Sequence, residues 1–186
     1  MFEDAFNAET FDVDAVLDQL EKEPLVLRAD LESVKSTIVS LNAIRIGEAG
    51  LNAHRQELLK RVPDISQYAS FPINSIEIID LAYLSAATQH EFALFRSKKE
   101  DILFHGDSGE CNFPENLEFL LENHKCRLEA HSHPDYPDII PSASDRALLR
   151  RIGQKESVIV SWYTGQSLTF SADMFEDLTK SQKEEK

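Results

Sequence analysis

Cationic residues are in short supply. Lysine and arginine total 19 against 33 aspartates and glutamates, a net charge of −14 over 186 residues. That balance argues against non-specific binding of nucleic acid, which needs a positive surface, and equally against an anionic membrane surface. Cysteine is scarce as well. Cys111 and Cys126 form no C-x-x-C pair, and they read as small buried hydrophobes in a reducing compartment, with a disulfide as the lesser alternative. No stretch approaches the ~18 consecutive apolar residues that a transmembrane helix needs. The N-terminal MFEDAFNAETFDVD is acidic and has no basic segment leading into an apolar run, so no signal peptide is expected and the chain is expected to be cytoplasmic. There is no internal repeat, and no heptad run long enough for a coiled coil.

Hydrophobic residues make up 42% of the chain, enough for a real core in one domain or one domain with an appendage. Apolar spacing predicts helices from Val13 to Leu20, from a cap at Asp30 through Leu31, Val34, Ile38 and Leu41, and from about Leu51 to Arg61. Residues 1–70 therefore read as a helical region without chemistry of its own, an element for homodimerisation or partner docking. As an appendage, it would leave a chain starting near Phe71 able to fold alone. Asn74 or Ser75 can cap a further helix through Thr88. The period then changes to that of strands at 91–96 and 101–105, joined as a hairpin by Ser97-Lys98-Lys99-Glu100. A helix over 114–123, a strand over 126–133, a helix over 142–153 and strands over 157–162 and 167–170 follow. This order predicts an α/β (α+β) domain over 71–172, a mixed sheet flanked by helices, with a charged tail over 173–186.

The chemistry concentrates in HSHPDYPDIIPSASD, residues 131–145. Alternate strand residues share a face, so His131 and His133 can aim two imidazoles at one point. Pro134 would end that strand. Ser142 reads as a helix N-cap with Asp145 three positions on, where the cap and the helix dipole both favour a carboxylate. Asp145 is thereby placed beside the loop returning from the histidines. Two imidazoles and a carboxylate make three ligands for Zn²⁺, and an open fourth position is what distinguishes a catalytic site from a structural one. Each piece alone has a plainer reading, as polar loop residues or as an ordinary cap; their order and spacing together carry the signal.

The pattern H-S-H-P, seven residues, then S-x-x-D, with Pro141 just before the serine, resembles the JAMM (MPN-plus) zinc metalloprotease motif. The similarity runs from about Ile73 to Phe170. It implies an MPN-like, cytidine-deaminase-like fold and a minimal, prokaryotic-type enzyme that cuts peptide or isopeptide bonds next to ubiquitin-like proteins. It further implies His131, His133 and Asp145 as zinc ligands, Ser142 as a stabiliser of the tetrahedral intermediate, and an upstream glutamate as general base. Glu91 fits that glutamate, since it opens a strand directly after a helix. The strand that follows, Phe92-Ala93-Leu94-Phe95, departs from the Gly-Leu-Leu-Gly type common in the family. Glu129, two residues before His131, is the rival, with a role beside the ligands or as a solvated edge residue. His54 reads as a solvated helix residue, and His90, His105 and His124 as surface residues or supports of the site. Arg96 and Arg127 read as surface or strand-edge residues. Two further readings stay open: a zinc hydrolase of the same fold acting on other amides, and a non-catalytic MPN-type scaffold.

Overall fold

The computed structural model describes residues 12–22, 28–108, 126–133 and 139–174. Within them run α1 (Val13–Lys22), α2 (Arg28–Arg45), α3 (Ala53–Arg61), β1 (Tyr68–Pro72), α4 (Ile78–Thr88), β2 (Phe92–Arg96), β3 (Glu100–His105), β4 (Arg127–His133), α5 (Ala143–Arg151), β5 (Glu156–Ser161) and β6 (Ser167–Ser171). The helix expected over 114–123, with Cys111 and His124, lies outside the described residues, as do Pro134, residues 1–11 and the tail from 175. No helix among the described residues is long and apolar enough to cross a membrane.

The strands form one mixed six-stranded sheet in the order β1-β3-β2-β4-β5-β6. All neighbours are antiparallel except β4 and β5. A parallel pair cannot be joined by a tight turn and needs a crossover connection; α5 lies on it. Alternation along the strands divides the buried side chains between two faces. Phe92, Leu94, Leu103, Ala130 and Val160 pack with Leu81 and Leu84 of α4 and with Leu41, Ile44, Leu58 and Val62 of the N-terminal region. Ala93, Phe95, Ile102, Phe104, Leu128, Ile159 and Phe170 pack with Leu149 of α5. The fold class is therefore a mixed sheet with helices on both faces.

Several elements differ from the sequence expectation in instructive ways. β1 has no counterpart in it: Pro72 made YASFP look like a boundary, but β1 is an edge strand, where a proline is tolerated. The helix expected to be capped by Asn74 or Ser75 starts later, at Ile78, because Asn74 adopts a left-handed conformation that redirects the chain. Asp80 then accepts a hydrogen bond from the Glu77 N–H at 2.9 Å. α2 already runs from Arg28, so Asp30 lies inside the first turn rather than at its cap; the dipole favours an acid there too.

The division expected between residues 70 and 71 runs through β1, and the core is continuous across it. α2 also supports the turn after β5. Gly165, at φ +70°, sits so close to Thr37 and Ile79 that a Cβ would lie 2.6 Å and 2.8 Å from their methyl carbons. In that same turn, the Trp162 N–H donates to the carbonyl of His133 at 3.5 Å. A chain beginning at Phe71 would lose Leu41, Ile44, Leu58 and Val62 from the core. At about 1.5–3 kcal/mol for each buried side chain, the loss is on the order of 10 kcal/mol, comparable to the whole stability of a domain. Truncation at Phe71 is thus expected to abolish cooperative thermal unfolding, followed by circular dichroism; a sharp transition in the shortened chain would mean that the sheet stands without these helices.

Candidate metal centre

His131 and His133 lie on the face of β4 that looks towards α5, as the alternation with the inward-facing Ala130 on the other side requires. Ser132 between them points the opposite way and is fully buried. Its Oγ accepts from the Phe92 N–H at 2.8 Å and lies 2.6 Å from the hydroxyl of Ser85 on α4. The strand bearing the histidines is thereby fastened both to β2 and to the helix behind it.

The third side chain is placed by a helix cap. Ser142 is the N-cap of α5: its hydroxyl accepts from the Asp145 N–H at 3.1 Å, and the Asp145 carboxylate accepts from the Ser142 N–H at 2.7 Å. This reciprocal pair satisfies two backbone donors that the first turn leaves open. It also turns the carboxylate back over the helix start, towards β4. Asp145 Oδ1 lies 3.2 Å from His131 Nε2, and Oδ2 lies 3.8 Å from His133 Nε2. One ligand atom from each of the three residues falls within 4.8 Å of the others.

The surroundings are compatible with a bound cation. His131 is 3% exposed and His133 7%. Both ring nitrogens of His131 are buried without a hydrogen-bond partner, the close carboxylate being off the hydrogen-bond direction. A buried polar atom left so costs about 1–3 kcal/mol, and a cation accepting a lone pair removes that cost. Burial pushes the Asp145 carboxyl up, but the closeness of His131 and the bonds with Ser142 outweigh it and hold it at about 2. The carboxylate is therefore ionised over the whole neutral range. These three residues could hold a metal ion, and two imidazole nitrogens with one carboxylate oxygen are a donor set compatible with Zn²⁺.

Glu91 immediately precedes β2 and is 4% exposed. β2 and β4 pair with Ala93 opposite His131. Glu91 lies two residues before Ala93, just beyond the paired stretch. Its backbone is held on both sides: its N–H donates to the Asp107 carbonyl at 2.7 Å, and its carbonyl accepts from Gly106 at 2.8 Å. Glu91 is not one of the three converging ligands.

Glu129 is held elsewhere. The pairing of β2 with β4 slips between Leu94 and Phe95, which face Ala130 and Leu128. A β-bulge inserts one residue and breaks the alternation, so the two-residue spacing from Glu129 to His131 does not carry Glu129 to the ligands. Its carboxylate lies 3.3 Å from Arg96 and 3.2 Å from Arg127. Arg96 is more than a surface residue, because it pairs at 2.8 Å with the fully buried Asp101 and donates to the Ile76 carbonyl. The sequence held a signal for that pair: the two residues flank a four-residue hairpin turn and are cross-strand partners. His54 is half-exposed beside Asp80. Of the two places expected for His105, the surface is ruled out: it is 2% exposed and bonded to the Val62 carbonyl and His90.

No family model, curated protein or solved structure matches the chain.

Proposed function

We propose that this chain is a zinc-dependent hydrolase of the JAMM type, cleaving peptide or isopeptide bonds at a ubiquitin-like protein or its conjugate. The observation that carries the reading is the convergence of His131, His133 and Asp145 within 4.8 Å of one another; the buried Glu91, just ahead of the strand that pairs with β4, is the residue we assign as base. A zinc ion held by the three would supply Lewis acidity, polarising the scissile carbonyl and lowering the pKa of water towards ~7.

The remaining work falls to the chain. Glu91 takes a proton from the attacking water and delivers it to the leaving amine. Its burial keeps bulk water from competing for that proton. The Ser142 oxygen accepts from the Asp145 N–H and lies 3.1 Å from the Ser144 hydroxyl; with Ser144 as the donor of that pair, the Ser142 proton is left for the developing oxyanion, and one such donor is typically worth roughly 3–4 kcal/mol. Ser142 is not a nucleophile in this reading, since both histidines are committed as ligands and neither is left to take its proton.

The test is a panel of linear and isopeptide-linked fusions of ubiquitin-like proteins, incubated with zinc-loaded protein and with chelator-treated protein. Zinc-dependent cleavage of at least one isopeptide-linked member is expected. Zinc-dependent cleavage confined to unrelated amides would assign the site to another substrate class.

A further inference from the structure

On the face of the sheet that carries Phe92, away from the ligands, two histidines form a chain. His105 Nδ1 lies 2.8 Å from the Val62 carbonyl, just past α3, and His105 Nε2 lies 3.0 Å from His90 Nδ1. A carbonyl only accepts, so His105 Nδ1 carries the proton. Burial lowers the pKa of His105, with His90 adding to the effect against the Val62 bond and Asp64; the ring is therefore neutral and its Nε2 bare. His90 must then donate from its own Nδ1. Every proton in the chain is fixed by its neighbour.

The backbone is anchored at the same place. His105 donates its N–H to the Gln67 carbonyl at 2.9 Å and accepts from Ser66 at 2.7 Å. The next two residues, Gly106 and Asp107, are those that grip Glu91. His90, adjacent to Glu91, follows the left-handed Gln89 that ends α4, a point where the chain would otherwise swing. The His105 ring stacks on Phe92 with centroids 4.3 Å apart. A phenylalanine would pack there as well, so packing alone does not account for a buried ring with both nitrogens bonded.

We infer that His90 and His105 are positioning residues for Glu91, and that through Val62 they tie its placement to the N-terminal helical region. The inference rests on Glu91 being the general base. It gives Val62, at the end of that region, a part in placing Glu91.

The full-length chain loaded with Co²⁺ tests this without a substrate, through the pH midpoint of the visible spectrum of the bound ion. Removing a nearby negative charge favours proton loss at the site, so Glu91→Gln is expected to lower the midpoint by about one pH unit, and His90→Ala by about half a unit. His90→Asn keeps an N–H donor where Nδ1 stood and is expected to restore the wild-type midpoint. Co²⁺ affinity is expected within about threefold of wild type throughout, inside the roughly 10–100-fold that loss of a contact orienting a ligand costs. If Glu91→Gln moves the midpoint and His90→Ala does not, the positioning role is wrong and the base stands. Equal shifts in His90→Ala and His90→Asn would also overturn it, since the donor would then be irrelevant. An unmoved Glu91→Gln midpoint would remove Glu91 as base and this inference with it.

Discussion

Glu91→Gln is expected to retain the metal and the melting temperature of the parent protein and to lose almost all turnover. The glutamine keeps the volume and a hydrogen-bonding oxygen in a site that is 4% exposed, so the packing around it has no reason to change. It cannot accept a proton. General-base catalysis contributes roughly 10²–10⁴-fold, and a group that also orients the water belongs at the upper end. Glu129→Gln is the control. Its carboxylate is engaged by Arg96 and Arg127 rather than by the ligands. Those pairs are partly exposed and worth about 1 kcal/mol or less, so turnover close to wild type is expected. Kinetics of both variants on a cleaved fusion decide the matter: a dead Glu129→Gln beside an active Glu91→Gln would transfer the role of base to Glu129.

The other large effect concerns the ligands themselves. His131→Ala, His133→Ala and Asp145→Ala each remove one of three donors and should each lower zinc affinity by more than the roughly 10–100-fold that follows loss of an outer contact. Asp145→Ala has a second consequence, because the same carboxylate accepts from the Ser142 N–H at the start of α5. Losing that half of the cap costs about 1 kcal/mol, so this variant should melt lower than the histidine variants even without metal. Asp145→Asn, which keeps an acceptor for the cap, should recover stability without recovering affinity. Zinc titration against a chelator, with melting curves of the metal-free proteins, measures the two effects separately.

The legible parts of the site were those built by short-range geometry. Strand alternation puts His131 and His133 on one face, and a capping pair four residues long aims Asp145; neither depends on distant parts of the chain. Glu91 was legible as the residue opening a strand after a helix, whereas its burial and the pairing of that strand with β4 come from parts of the chain far apart in sequence. Glu129 misled because a bulge cancels the period that the sequence suggested. The N-terminal helices misled for a different reason. Their apolar stripes announce that something is buried, but not against what, and the partner turned out to be α4 and the central sheet. His105 carries no local sign of burial at all; its surroundings come from residues 62–67 and 90–92, brought together only by tertiary packing.

The most direct measurement is anomalous scattering at the zinc edge from crystals of the full chain grown with zinc. One strong peak is expected about 2.0–2.2 Å from a nitrogen of His131, a nitrogen of His133 and an oxygen of Asp145, absent in the His131→Ala/His133→Ala double variant. Zinc-replete crystals with no peak between those three side chains, or with the ion held by other residues, would contradict the assignment.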